Sequence, residues 1–227
     1  MRAVCLQHVP FEGPGAFAKA LASRGVSLDS YLVPKDGLPG DVGHLLIVMG
    51  GPMSVNDPDP WIGEETAFIK AALQANHPVI GVCLGSQFMA KALGATVRSG
   101  KALEIGMTPV RLTDAGKQDP VFGAVPETFD VFEWHGEIFD LPNDCVPLAG
   151  SDIAPLQAFR YGERAYGLLF HLEMEEGGID SLCRECAPDV TKAGLTAQQV
   201  KTSALSQLPQ LHHMADRLIG HLLAPVR

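Results

Sequence analysis

No stretch of this sequence approaches the ~18 consecutive apolar residues of a membrane-spanning helix. No Lys/Arg cluster is present to neutralise a phosphate backbone. Membrane insertion and nucleic-acid binding are thereby set aside. With 17 basic against 26 acidic residues the net charge is −9, a balance that serves solubility. There is no internal repeat, no low-complexity run and no polar linker long enough to separate a pair of domains. The opening MRAVCLQHVPFEG has too short an apolar run for a secretory leader, broken by Gln7, His8 and Pro10. Cys5, Cys83, Cys145, Cys183 and Cys186 are odd in number and irregularly spaced, which reads as reduced thiols in a cytoplasmic protein. What is there is 227 residues, 46% apolar and 19% charged, enough for a sizeable core in a single α/β domain over 1–227.

Apolar segments alternate with amphipathic ones. RAVCLQ (2–7) is strand-like, and GAFAKALASRG (15–25) reads as a helix closed by Gly25. SLDSYLV (27–33) and HLLIVM (44–49) read as strands, followed by a Gly/Pro-rich loop over 50–60. A helix runs from about 61 to 76, with Trp61 anchoring its start in the core. This alternation predicts a mostly parallel sheet covered by helices on both faces. After Gly94 come ATVRSG, LEIGMTPVRLT, ETFDVFEW, VPLAGS, LQAFRY and RAYGLLFHLEM, a strand-rich run that fits antiparallel additions to the sheet. The segment 177–223 is helical again.

Between 78 and 94, PVIGVCLGSQFMAKALG places a cysteine where a short apolar strand gives way to helical spacing. Gly-x-Cys-x-Gly at a strand-to-helix turn is the thiol version of a nucleophile elbow, in which the flanking residues must be small. Such a turn presents Cys83 at the carboxyl end of a strand, where open α/β sheets bind ligands. The helix N-terminus there favours thiolate, and the Leu84 amide is placed to donate to an oxyanion. The alternative for Cys83 is a small buried residue in a tight turn.

A nucleophilic cysteine needs a base, itself oriented by a third group. In YGLLFHLEME, strand alternation puts His171 and Glu173 on one face, where the carboxylate can fix the imidazole tautomer; a half-polar face open to water is the other reading. His135 ends the strand-like run EWHG, with Gly136 behind it. Gly50 and Gly51 end another, where an unobstructed amide can approach a ligand. His8, His44 and His77 border loops, and His212, His213 and His221 lie in the C-terminal helical region, positions typical of surface histidines.

Taken in order, IVMGGPMSVND (47–57), GVCLGSQ (81–87), EWHGEIFDLP (133–142) and LLFHLEME (168–175) resemble the class I (triad) glutamine amidotransferases. Within them the similarity is greatest to the glutaminase-like domain of GMP synthase and its stand-alone relatives. The resemblance implies a flavodoxin-like three-layer α/β fold, an open, mostly parallel sheet with an antiparallel extension. It implies Cys83 as nucleophile, His171 as general base, Glu173 as its orienting group and the Gly51 and Leu84 amides as oxyanion hole. Gly50, Gln87, His135 and Gly136 match segments lining the glutamine pocket. Neither a cofactor nor a metal is implied. The substrate implied is glutamine or a γ-glutamyl small molecule, hydrolysed through a γ-glutamyl thioester. Two departures stand out: Leu172 replaces the proline of the family's His-Pro-Glu, and no synthetase domain follows to receive ammonia. Three readings follow: a stand-alone γ-glutamyl hydrolase, a glutaminase subunit with a separate synthetase partner, and a silent binding module of the same fold.

Other signals are weaker. Cys183-x-x-Cys186 lacks a second ligand pair and reads as packing on one helix face before redox or metal chemistry. Glu104, opening a strand, reads as a solvated strand end before a substrate-facing carboxylate.

Overall fold

The computed structural model describes residues 1–225. In chain order the elements are β1 (Arg2–Gln7), α1 (Gly15–Ala22), β2 (Ser27–Leu32), α2 (Val33–Asp36), β3 (Leu45–Val48), α3 (Pro60–Gln74), β4 (Val79–Val82) and α4 (Leu84–Ala92). There follow β5 (Val97–Leu112), α5 (Asp114–Gln118), β6 (Thr128–Phe139), β7 (Cys145–Gly150), β8 (Ala158–Tyr161) and β9 (Ala165–Leu168). The chain then turns helical through α6 (Glu176–Glu185), α7 (Ala187–Lys192), α8 (Ala197–Leu205) and α9 (Leu208–Leu223). One sheet takes every strand, in the order β2-β1-β3-β4-β9-β8-β7-β5-β6. β2, β1, β3, β4 and β9 are parallel neighbours, and from β9 onward each pairing is antiparallel.

The central strands are apolar without a break because both sheet faces are covered. Along β1, Ala3 and Cys5 join one hydrophobic cluster while Val4 and Leu6 join the other. β3 repeats the pattern, with Leu45 and Ile47 on one side and Leu46 and Val48 on the other. This is the period-2 alternation of a strand. α1 and α9 pack together over the first face, α3 and α4 over the second. No helix among the described residues is long and apolar enough to cross a membrane.

Three features differ from the sequence reading. ATVRSG and LEIGMTPVRLT form a single strand, β5, whose register against β6 shifts between Ser99 and Glu104. β6 runs on to Phe139, so His135 lies inside a strand and faces Glu104 across the ladder. The strand expected through 164–174 stops at Leu168, because its neighbours run out. The last bond from the β4 side is Cys83 N–H to the Leu168 carbonyl, 2.8 Å, and β8 begins at Ala158, opposite Leu168. His171 and Glu173 therefore lie beyond the strand, tethered by an antiparallel bridge in which His171 N–H donates to the Phe132 carbonyl at 2.8 Å and by Ala16 N–H, which donates to the Glu173 carbonyl at 2.9 Å.

The β4–α4 turn explains its glycines. A Cβ on Gly81 would stand 2.6 Å from the Gly85 carbonyl oxygen, and one on Gly85 only 2.1 Å from that of Val48. Gly63, inside α3, has nothing within 4 Å of such a Cβ. The two sites make opposed predictions for Gly→Ala. Gly85→Ala is expected to cost roughly 2 kcal/mol or more through overpacking, lowering the melting temperature by about 4–8 °C. Gly63→Ala is expected to raise stability by roughly 0.5–1 kcal/mol through helix propensity. Thermal unfolding of the two proteins checks both, and equal shifts would contradict the packing account.

Candidate active site

Cys83 sits between β4 and α4 with φ 49° and ψ −109°, a left-handed conformation that costs a non-glycine residue about 1–3 kcal/mol. The surrounding ladder over-determines it. Its N–H is held by Leu168, and its carbonyl accepts from Ser86 N–H, Gln87 N–H and the Ser86 hydroxyl, the last at 2.6 Å. The side chain is 6% exposed, with Sγ 3.5 Å from the Trp134 carbonyl oxygen.

His171 and Glu173, buried like the thiol, meet at 2.7 Å between Nδ1 and Oε1. A carboxylate on Nδ1 fixes the Nδ1–H tautomer and leaves Nε2 free. Nε2 has no hydrogen-bond partner, and Cys83 is near enough to help raise the pKa of the ring. Leu172, in the place of the expected proline, is fully buried between them without disturbing the pairing.

The electrostatics correct one expectation. Burial pushes the Cys83 thiol above its ordinary value, against the lowering expected from the helix end, while His171 and the Leu84 amide pull it back. For His171, burial opposes the charged form, but Glu173 and Cys83 outweigh it and raise its pKa well above that of free imidazole. Thiol and imidazole are thus coupled, each shifting the titration of the other.

In front of the thiol lies a cleft of about 270 Å³, bordered by Gly51, Gln87, Trp134, His135, Gly136 and Cys83 itself. The structure thus gathers the expected Gly51, Cys83, Gln87, His135 and Gly136 on one cavity. His171, Glu173 and Gly50 do not line it, and the Gly50 carbonyl is turned toward His8. Gln87 is 4% exposed and its Oε1 is unpaired. Glu137, Asp189 and Lys192 supply charge at the cleft wall.

Several residues were missed or misread from the sequence. Glu12, in the loop after β1, packs its carboxylate over Gly50. A Cβ on Gly50 would lie 2.2 Å from Glu12 Oε2 and 3.3 Å from His171 Cε1. Burial raises the Glu12 pKa, opposed by the charge on His171. His8 is 2% exposed, not a surface residue, and pairs with Glu65 of α3. Glu65 had a legible signal, since Ile62, Glu65, Ile69 and Leu73 share one helical stripe and put a carboxylate on a buried face. Cys183 is buried in the core, and Cys186, at the C-cap of α6, is half-buried against the same cluster, as packing on one side of the helix predicts.

Glu104 is 4% exposed rather than a solvated strand end, accepting from Ser151 Oγ and Gln157 Nε2 at 3.2 Å each. Beside it, His135 Nε2 lies 3.3 Å from Glu104 Oε2 and 3.2 Å from Glu133 Oε2. These are contacts of charge rather than aligned hydrogen bonds, for neither ring nitrogen and neither Glu133 oxygen has a well-directed partner. The ligand atoms of the three residues lie within 4.8 Å of one another, so a divalent cation could enter only by displacing the His135 proton.

For His135, burial disfavours the charge, but Glu104 and Glu133 together raise its pKa to about 9. A folded pKa above the unfolded value stabilises the protonated fold. That contribution is complete below about pH 6.5 and is lost as pH rises through about 9. Denaturant unfolding between these limits is expected to show stability falling with pH, and falling less steeply in His135→Asn. Identical slopes in the two proteins would rule out a charged His135.

With this geometry established, comparison with known proteins is informative. The family model for class I glutamine amidotransferases matches residues 16–182. The chain is 32% identical over 201 residues to the glutamine amidotransferase-like protein YfeJ of Salmonella typhimurium, covering 85% of this chain and 84% of that one. It is 31% identical over 156 residues to a glutamine-hydrolyzing GMP synthase subunit of Thermoplasma acidophilum, covering 67% and 75%. A solved glutamine amidotransferase from Thermotoga maritima superposes with a TM-score of 0.91 at 27% identity, over 99% of each chain. By the family match and these relatives together, the chain belongs to the class I glutamine amidotransferases.

Proposed function

We propose that the protein hydrolyses the γ-carboxamide of glutamine or of a γ-glutamyl small molecule, with Cys83 as nucleophile, His171 as general base and acid, and Glu173 as the group that orients His171. The observation that carries this reading is the 2.7 Å contact of Glu173 with His171 Nδ1, which leaves Nε2 toward a thiol on a strained elbow. The cleft supports the same reading. At about 270 Å³ it falls just under the ~300–1,000 Å³ of drug-sized pockets, suited to an amino-acid amide.

The reaction follows from these positions. His171 Nε2 takes the thiol proton and Sγ bonds to the amide carbon, sending the carbonyl electron pair onto oxygen. The Gly51 and Leu84 N–H groups are the donors for that oxyanion. As the oxyanion collapses, the C–N bond breaks, Nε2–H protonates the leaving nitrogen, and ammonia departs. Water then gives a proton to Nε2 and its oxygen attacks the thioester, releasing the carboxylate and regenerating Cys83. Glu137 and Asp189 suit the donor's α-ammonium, and Lys192 its α-carboxylate.

A second reading is favoured by one relative, named as a subunit of GMP synthase: ammonia formed here would pass to a separately encoded synthetase. Substrate choice separates the two. Ammonia and glutamate release is measured from purified protein given glutamine or a γ-glutamyl dipeptide, with Cys83→Ala as control. Rapid dipeptide turnover, lost in Cys83→Ala, supports the stand-alone hydrolase. Slow turnover of glutamine alone supports the partnered glutaminase, and no turnover above the control supports a silent module. Glu173→Gln is expected to lower kcat by about 10⁴-fold by admitting the wrong imidazole tautomer. A loss below about tenfold would remove Glu173 from the orienting role.

A further inference from the structure

The donor assigned to Gly51 depends on a peptide with unusual freedom. Gly50 and Gly51 are both glycine because side chains do not fit: a Cβ on Gly50 would strike Glu12, and one on Gly51 would lie 3.0 Å from both His8 Cβ and Leu84 Cδ2. Two successive glycines also remove the steric bar to rotating the plane between them. A peptide flip would leave the Cα atoms in place, turn the Gly51 N–H away from the cleft and put a carbonyl there instead. Something outside the peptide must choose between the two orientations.

The Gly50 carbonyl has one side-chain partner. His8 Nδ1 donates to it at 2.9 Å. His8 Nε2 lies 3.0 Å from Glu65 Oε1, and both side chains are wholly shielded from solvent. The ring packs in a three-ring cluster with Trp61 and Phe88, its centroid 5.7 and 5.5 Å from theirs and theirs 6.1 Å apart. Turning the imidazole over about Cβ–Cγ would break both of its polar contacts. The peptide is trans, so its C=O and N–H point in opposite directions. Holding the carbonyl on the His8 side turns the amide to the other side, and Gly51 borders the cleft with Cys83. Among the described residues no backbone acceptor takes the Gly51 N–H, as a donor kept for a ligand requires.

We propose that His8, fixed by Glu65, is the positioning residue of the oxyanion hole: its Nδ1–H pins the Gly50 carbonyl and keeps the Gly51 N–H turned into the cleft. With a carbonyl at Nδ1 and a carboxylate at Nε2, both ring nitrogens must donate, so the form that pins the peptide is the imidazolium, whose charge Glu65 balances. Burial works against a charged His8, but Glu65 and the Gly50 carbonyl outweigh it and raise its pKa. The hole is therefore formed in the free protein, with no partner needed to turn the peptide. This inference rests on the hydrolase reading for its catalytic consequence, though not for the peptide orientation itself.

The test uses His8→Phe, which keeps an aromatic ring beside Trp61 and Phe88 without a donor, and His8→Asn, whose amide donates from nearly the position of Nδ1. A third variant, His8→Phe/Glu65→Leu, leaves no orphaned buried carboxylate and guards against misfolding. Losing one oxyanion donor lowers kcat by about 10²–10³, and a peptide free to flip keeps part of that, so both Phe variants are expected to lose about 10- to 100-fold in kcat. KM should stay within about threefold, since the donor acts on the transition state. Alkylation of Cys83 by iodoacetamide, which forms no oxyanion, should stay within about twofold of wild type. His8→Asn should recover most of the lost kcat. A crystal structure of the double variant should show the Gly50 carbonyl turned into the cleft.

Wild-type kcat in the double variant, an unmoved peptide in its crystal structure, or alkylation falling in step with kcat would each overturn the proposal. If the wild type turns over neither glutamine nor a γ-glutamyl dipeptide, it is the hydrolase reading that fails. The crystal structure then still decides whether His8 holds the peptide.

Discussion

Everything at this site hangs on a backbone turn too tight for side chains. β4 ends, α4 begins, and between them Cys83 is forced to φ 49°. The strain is retained because the residues around it leave no alternative: β9 holds the Cys83 N–H, α4 holds its carbonyl, and β3 lies against Gly85 at a distance that excludes even a methyl group. The thiol is thereby fixed in direction as well as place. The same crowding sets Leu84 against Gly51, where a Cβ would lie 3.0 Å from Leu84 Cδ2, and Gly51 borders the cleft with Cys83. A looser turn would not hold the proposed nucleophile and its proposed oxyanion donors together.

Around that turn the protein buries an uncommon amount of charge. Glu12, Glu65, Glu104, Glu133 and Glu173 are each less than a tenth exposed, and so are His8, His135 and His171. Each imidazole faces at least one carboxylate, which holds its desolvation cost in check. The three sets do different things. Glu173 meets Nδ1 of His171, Glu65 meets Nε2 of the His8 ring that reaches the Gly50 carbonyl, and Glu104 with Glu133 brackets His135 at the cleft. Such sets stabilise the fold less than apolar residues of equal volume would. What they contribute is a defined proton position at three points around one small cavity.

Much of this was legible in the amino-acid order, for physical reasons that also mark its limits. The runs over β1, β3 and β4 could be read because strands covered on both faces must be apolar throughout. Cys83 could be read because a sharp turn leaves a local signature in Gly81 and Gly85. His171 and Glu173 were paired correctly although the strand invoked for them ends at Leu168; their spacing brings them together in the loop as well. Glu104 was misread because nothing near it in sequence announces Gln157, Ser151 or His135 as partners. His8 and Glu12 were invisible for the same reason, since the segments they touch arrive from far along the chain. Local pattern reveals where a residue points, while a partner supplied by topology appears only in three dimensions.

The ladder between β4 and β9 has a consequence for the newly made chain. β4 and its thiol are synthesised long before β9 and the imidazole that follows it, and the two meet only through a parallel pairing that spans the antiparallel strands between. Non-local pairings of this kind form late in folding, and chains are extended from the amino end. A nascent or truncated chain therefore carries a cysteine with no proton acceptor beside it and no strand to hold its turn. The arrangement proposed for catalysis is completed only when the last strand slots into the middle of the sheet, so an unfinished molecule carries an ordinary exposed thiol in place of one paired with a base.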